Sequence, residues 1–170
     1  MKKTNIFFVY GHGDGPDGPL LKKLCKILDT KKFNIYSDYY AQYSPDKALY
    51  DIEHYIEELD IDILIGEELG GYLVSLVNNE KITKKILIDT IIDAPLELSE
   101  YETIVVDEET KEEKVIKLVP DHVIKFYKDS ELKPNFDDCL LISTTEDSIE
   151  KMKQINREYK ESLKDINELL

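Results

Sequence analysis

The sequence has little of what a nucleic-acid-binding or membrane-binding protein uses. Arg157 is the only arginine among 170 residues, and 36 acidic residues against 22 basic ones give a formal net charge of −14. A surface of this charge repels phosphate backbones and anionic lipid headgroups, so we expect neither nucleic-acid nor membrane binding. Solubility is the simplest role for the acidity.

Cysteines and long apolar runs are also scarce. Cys25 and Cys139 lie in apolar-periodic segments, outside any CxxC or Cys/His cluster, so we expect reduced, buried thiols, no metal site and no cofactor. No apolar run approaches the ~20 residues that a membrane-spanning helix needs. The short apolar stretch after Met1-Lys2-Lys3 does not resemble the core of a signal peptide, and we expect a cytoplasmic protein.

The chain is organised around residues 61–77. An apolar run there ends in a Gly-Glu-Glu-Leu-Gly-Gly turn and passes at once into residues with helical spacing, which predicts a strand, a sharp turn and a helix. Gly66 and Gly70 bracket Glu68 as the nucleophile elbow G-x-S-x-G brackets its serine, because the crowded backbone of such a turn leaves no room for Cβ atoms. The bracketed residue here is a carboxylate.

Strands and helices alternate along most of the chain. Apolar runs at residues 5–10, 33–37, 61–65, 84–89 and 138–144 predict strands, and helical periodicity follows Pro19 and Pro45. This alternation implies right-handed crossovers and a mostly parallel sheet with helices on both faces. We therefore predict an α/β fold, a three-layer α/β/α sandwich in a single domain of residues 1–170.

Two segments depart from this alternation. Residues 101–106 and 114–119 are β-prone and joined by a charged tip, which predicts a β-hairpin inserted at about residues 100–120, where a cap or lid would lie. Apolar residues recur every three or four positions from residue 149 to residue 170, which predicts one long final helix. That helix either covers the sheet or pairs with its copy in a homodimer.

Several separated motifs together resemble the YqiA-like esterases, small proteins with the α/β-hydrolase fold. The matching residues are Tyr10 with His12-Gly13 and the Pro16 loop, Ser44-Pro45 with Ala48, Leu64-Ile65-Gly66 with Leu69-Gly70-Gly71-Tyr72, Leu87-Ile88 with Pro95, Val115 to His122, and Leu140 to Asp147. The resemblance covers about residues 1–147. It implies an α/β-hydrolase-like sheet, a serine nucleophile at the elbow, an acid after the last strand and a histidine beyond that acid.

This sequence departs from the esterase pattern at two of the three catalytic positions. Glu68 stands at the nucleophile position, and Glu146, with Asp147 as the neighbouring choice, stands at the acid position. No histidine follows Asp147. We therefore predict a protein that does not hydrolyse esters and instead binds a small molecule or a protein partner. The residues that we expect around its pocket and oxyanion loop are Gly11, His12, Gly13, Leu69 and His122.

Two other functions remain open. Some α/β-hydrolases use a carboxylate nucleophile at the elbow, so Glu68 with His12 as the base would give a carboxyl-ester or related hydrolase. The loop from Gly13 to Gly18 matches GxGxxG after the first strand, and Asp38 follows near the end of the next strand, as in dinucleotide-binding proteins. Against nucleotide binding, two aspartates inside the loop would face the pyrophosphate, and the helix starts too late for the third glycine.

Overall fold

The structure is a computed structural model that describes residues 2–170. Its strands are β1 (Thr4–Val9), β2 (Phe33–Tyr36), β3 (Ile63–Glu67), β4 (Lys84–Ile88), β5 (Glu102–Val106), β6 (Glu113–Lys117) and β7 (Leu140–Ile142). Its helices are α1 (Pro19–Ile27), α2 (Pro45–Glu58), α3 (Leu69–Leu76), α4 (Ala94–Ser99), α5 (Asp121–Asp129), α6 (Glu146–Gln154) and α7 (Ile166–Leu169), with a 3-10 turn at Leu163–Asp165.

Five strands form a wholly parallel sheet in the order β2-β1-β3-β4-β7. The central strands are continuous apolar runs because both faces of the sheet are covered, and Ile6, Phe7 and Phe8 of β1 are fully buried. In the register of the sheet, Val9 of β1 is paired with Gly66 of β3. The loops that follow β1 and β3 therefore leave the sheet side by side.

The order of the strands also sets the layers. The chain steps from β1 to β2 in one direction and from β2 to β3 and β4 in the other. Right-handed crossovers then place α1 on one face of the sheet and α2 and α3 on the opposite face. Helices α2 and α3 contact each other, as this arrangement requires. The predicted α/β fold with a mostly parallel sheet is confirmed.

The predicted hairpin is present between α4 and α5. Strands β5 and β6 pair antiparallel in a two-stranded sheet of their own. Helices α4 and α5, on either side of it in sequence, contact each other. The hairpin therefore projects from two helices that contact each other, and its strands do not join the main sheet.

The predicted single final helix is wrong. Helix α6 ends at Gln154, and Asn156 follows with a positive φ of 52°, which no helix continues through. Lys160 then lies against the edge strand β7, where its N–H donates to the Leu141 carbonyl at 2.9 Å. The periodic apolar residues are divided between α6, which buries Met152, and α7, which buries Ile166.

The exposure of the two cysteines and the character of the helices bear on two expectations from composition. Cys139 is buried as predicted, but Cys25 is exposed because it lies on the outer side of α1. Among residues 2–170, no helix has both the length and the apolar character needed to cross a membrane.

Candidate functional site

Glu68 occupies a strained turn between β3 and α3. Its backbone has φ 53° and ψ −114°, a region that residues with a Cβ atom rarely adopt. The Glu68 N–H donates to the Ile88 carbonyl of β4 at 3.0 Å, and its carbonyl accepts from the Tyr72 N–H in the first turn of α3 at 3.1 Å. These bonds hold the turn between the sheet and the helix, which is the geometry predicted for an elbow.

Gly66 and Gly70, on either side of Glu68, have no room for a side chain. A Cβ atom on Gly66 would lie 2.5 Å from the Gly70 carbonyl oxygen, and a Cβ atom on Gly70 would lie 2.0 Å from the Val9 carbonyl oxygen. Both neighbours are backbone atoms held in regular structure, so neither can move aside at low cost. Only glycine fits at either position, as the sequence pattern predicted.

The Glu68 side chain lies against the loop that follows β1. A Cβ atom on Gly11 would lie 2.7 Å from Glu68 Oε2 and 3.1 Å from Glu68 Cβ. In α/β-hydrolases the loop after this strand and the N–H of the residue after the nucleophile form the oxyanion hole. The residue that follows the nucleophile position is here Leu69, which is fully buried at the start of α3. The Glu68 carboxylate therefore lies against the loop after β1, next to the start of α3.

A cleft of about 520 Å³ opens at this end of the sheet. Its walls come from the ends of β3 and β4, from α4 and from α6. The lining residues are Glu67, Glu68, Asp89, Ile91, Glu97, Glu100, Tyr101, Thr145, Asp147 and Lys151. Six of these side chains are acidic and only Lys151 is basic, so the cleft favours cations over anions.

Burial changes the ionisation of the two elbow carboxyls. It raises the pKa of Glu67 and that of Glu68 to about 7, with the charge of Asp14 acting in the same direction. Lys151 opposes the rise of the Glu68 pKa. Both carboxyls therefore take up a proton more readily than an exposed glutamate does.

Lys151 is already paired on both sides. Its Nζ lies 2.5 Å from Glu97 Oε2 and 2.5 Å from Asp147 Oδ2. Glu97 is buried and also accepts from the N–H groups of Ile92 at 2.7 Å and Asp93 at 3.0 Å. In a hydrolase triad an acid at the end of this sheet would orient an imidazole, whereas Asp147 holds an ammonium group.

Asp89 links the carboxyl ends of β4 and β7 beside the cleft. It follows β4 with a positive φ of 47°, and it accepts from the Thr144 N–H and the Thr144 hydroxyl, both at 2.6 Å. Asp89 is not among the site residues predicted from the sequence, although a polar residue directly after a buried parallel strand is a usual mark of a site. Lys151 is not among them either, although its i,i+4 spacing from Asp147 was the available indication.

The two acid candidates differ in placement. Glu146 is exposed in the first turn of α6 and does not line the cleft, whereas its neighbour Asp147 does. His122 is exposed on α5 with its ring centroid 6.3 Å from that of Phe126, and it too lies outside the cleft lining. Gly13, with φ 80°, belongs to the loop after β1.

His12 is half-buried and has an unusual environment. Its ring centroid is 5.7 Å from that of Tyr101, and its Nδ1 has no hydrogen-bond partner among residues 2–170. Burial lowers the pKa of His12, which is the opposite of the rise that an adjacent carboxylate would cause. His12 is also not among the residues that line the cleft. His12 Nδ1 therefore makes no hydrogen bond to Glu68 in the structure.

No family model and no curated protein matches the chain. Among solved structures it is similar to alpha/beta hydrolase domain-containing protein 10 from mouse, at 15% identity over 99% of this chain and 87% of that chain, with a TM-score of 0.62. It is similar to Est1E from Butyrivibrio proteoclasticus, at 13% identity over 84% of this chain and 67% of that chain, with a TM-score of 0.60. It is also similar to the esterase domain of a Rhodothermus marinus protein, at 14% identity over 82% of this chain and 63% of that chain, with a TM-score of 0.51. Likeness at these identities shows the fold alone, and the chain has an α/β-hydrolase-like fold.

Proposed function

We propose that this protein is a non-hydrolytic relative of the YqiA-like esterases that uses its elbow cleft to bind a ligand. One observation carries the proposal: Glu68 is held in the elbow conformation with its carboxylate against Gly11. A serine hydroxyl at this position would leave the neighbouring oxyanion hole open, whereas the longer glutamate fills space beside it. Negative charge there also repels a developing oxyanion.

The rest of the catalytic apparatus supports the same conclusion. Ester hydrolysis through this type of elbow needs a base that takes the nucleophile's proton and returns it to the leaving group. Asp147, at the end of the sheet, pairs with Lys151. The three histidines of the chain are His12, His54 and His122, so none follows the acid. The elbow therefore has a carboxylate without the imidazole that would make it catalytic.

The charge of the cleft indicates the kind of ligand. Six acidic side chains surround a cleft whose single lysine, Lys151, is already neutralised by two of them. A neutral or anionic ligand gains nothing from this field, while an amine or guanidine gains a favourable interaction. We propose a cationic small molecule or a basic peptide segment as the occupant.

The test combines hydrolysis and binding in one set of probes. Purified protein is incubated with p-nitrophenyl acetate, p-nitrophenyl butyrate and the cationic ester benzoyl-arginine ethyl ester. We expect no protein-dependent hydrolysis of any of them, and a rise in Tm with the arginine ester that a neutral benzoyl-alanine ester does not produce. Saturable turnover that Glu68→Ala abolishes would overturn the non-hydrolytic assignment. An equal response to both amino-acid esters would overturn the cationic ligand.

A carboxylate-dependent hydrolase is the second candidate, and the ionisation of Glu68 favours it. With its pKa raised to about 7, the ionised carboxylate of Glu68 is a stronger nucleophile than that of an exposed glutamate. This candidate makes Glu68 the nucleophile and requires His12, whose Nδ1 has no hydrogen-bond partner among residues 2–170, to approach the elbow as the base for the second step. It predicts a covalent adduct on Glu68 after incubation with p-nitrophenyl acetate or an alkyl halide, detected by peptide mass spectrometry and absent from Glu68→Gln. An unmodified Glu68 peptide across both reagent classes removes this candidate.

A further inference from the structure

The hairpin of β5 and β6 is exposed on both of its faces. All ten residues of the two strands are exposed, including Ile104 at 62% and Val115 at 64%. A two-stranded hairpin with apolar residues in water is only marginally stable, and strand edges that remain unpaired are templates for another strand. The hairpin therefore has the properties of half of a larger sheet.

The hydrogen bonds at the two ends of the hairpin show which backbone groups are free. The Asp107 N–H donates to the Glu112 carbonyl at 3.0 Å, and the Leu118 N–H donates to the Tyr101 carbonyl at 2.7 Å. In an antiparallel ladder every second residue of a strand bonds to its partner. Since residues 112 and 118 bond inward, the backbone groups of residues 113, 115 and 117 point away from β5.

The sequence of β6 is self-complementary in charge. It reads Glu113-Lys114-Val115-Ile116-Lys117. When two such strands run antiparallel about an axis at Val115, each valine faces its copy, and Glu113 of each strand faces Lys117 of the other. The outward-pointing backbone groups are those of these same three residues, so the charge pairs and the hydrogen bonds require one and the same register.

We propose that a second copy of this chain pairs with β6 in that register, which joins two hairpins into a four-stranded antiparallel sheet. Val115 lies opposite Ile104 within the hairpin, so the dimer aligns Ile104, Val115 and their two copies in one apolar row. Lys117 contacts Asp121 at 3.2 Å, but both side chains are mostly exposed, and such a surface pair leaves the lysine free to turn.

The other edge of the hairpin does not offer the same match. Strand β5 reads Glu102-Thr103-Ile104-Val105-Val106. An antiparallel pairing about Ile104 would place Glu102 opposite Val106 and would form no charge pair. A shift of the β6 axis from Val115 to Ile116 likewise places Lys117 opposite Val115 and loses both charge pairs. Of these registers, only the one centred on Val115 pairs Glu113 of each strand with Lys117 of the other.

Charge reversal tests the proposed register. Sedimentation velocity across the micromolar range should show reversible dimerisation of the unaltered protein. Lys117→Glu and Glu113→Lys each place like charges opposite each other twice, so each should raise the dimer Kd by about tenfold or more. The double variant has the original net charge and both charge pairs across the interface, so it should dimerise more tightly than either single variant, although the glutamate placed at position 117 then faces Glu102 within its own hairpin. An equimolar mixture of the two single variants should form a heterodimer, because each then supplies the charge that the other lacks.

Proline substitution tests whether the dimer pairs through the outer edge of β6 or through that of β5. Val115→Pro removes an N–H that points away from β5 and should abolish dimerisation while the far-ultraviolet circular dichroism is unchanged. Val106→Pro makes the same change on the opposite edge, outside the apolar row of Ile104 and Val115, and should leave the dimer intact. A protein that is monomeric across the whole range overturns the proposal. So do charge-reversal variants that dimerise normally, and so does equal loss of dimer from both proline variants.

Discussion

Replacing Glu68 by glutamine should make the protein more stable at alkaline pH and leave it almost unchanged near pH 5. The substitution keeps the shape of the side chain and removes a carboxylate that is held in the crowded elbow against Gly11. Burial and the charge of Asp14 raise the Glu68 pKa from 4.5 to about 7. The ionised form is therefore less favourable in the folded protein than in the unfolded chain.

The size and sign follow from this difference between 4.5 and about 7. At 1.36 kcal/mol per pKa unit, the shift corresponds to at most about 3.4 kcal/mol, and partial contact with solvent reduces this to about 2 kcal/mol. Since the folded-state pKa is raised, the carboxyl does not penalise folding below pH 4.5. The penalty grows as the pH rises toward 7 and is constant above it, so that is the range in which the glutamine variant should gain.

Urea unfolding at pH 5, 6, 7 and 8, followed by circular dichroism, measures this gain directly. Glu68→Gln should exceed the unaltered protein by about 2 kcal/mol at pH 8 and by much less at pH 5. Glu100→Gln removes an exposed acid from the same cleft and should show no such pH-dependent gain. A difference between Glu68→Gln and the unaltered protein that is the same at every pH would show that ionisation of Glu68 does not destabilise the fold.

Three further substitutions test other parts of the elbow and cleft. Glu68→Gly should be about 1 kcal/mol more stable than Glu68→Ala in urea unfolding, because glycine tolerates the positive φ, and the opposite order would show that the turn is not strained. Gly70→Ala should cost about 3 kcal/mol or prevent folding since its Cβ meets a backbone oxygen, while Gly15→Ala, with 3.6 Å to its nearest neighbour, should be neutral in the same assay. Lys151→Met should lower the free energy of unfolding by about 3 kcal/mol because Glu97 is left as a buried unpaired charge, and adding Glu97→Gln should recover most of that loss. No recovery would mean that the pair is not the source of the cost.

Local sequence was sufficient to predict the elbow. The apolar run before Gly66 is continuous because β3 is buried on both faces. Glycines occur at positions 66 and 70 because a Cβ atom at either position would clash with a backbone oxygen. These requirements act within a few residues along the chain or against the adjacent strand. A pattern in the sequence can therefore record them directly.

The remainder of the site depended on tertiary contacts that no local pattern records. Lys151 of α6 pairs with Glu97 of α4, a residue more than fifty positions earlier in the sequence. The choice between Glu146 and Asp147 depended on which face of α6 turns toward the cleft. The final helix failed as a prediction because two short helices and a turn can bury the same apolar residues as one long helix, and Asn156 ends the first of them.

The central claim is that the glutamate at the elbow does not catalyse acyl transfer. A pre-steady-state assay at high protein concentration, in which p-nitrophenol release from p-nitrophenyl acetate is followed for the unaltered protein and for Glu68→Ala, tests it most directly. We expect no burst from either protein and the same slow rate of release from both. A burst stoichiometric with protein that disappears in Glu68→Ala would contradict the claim.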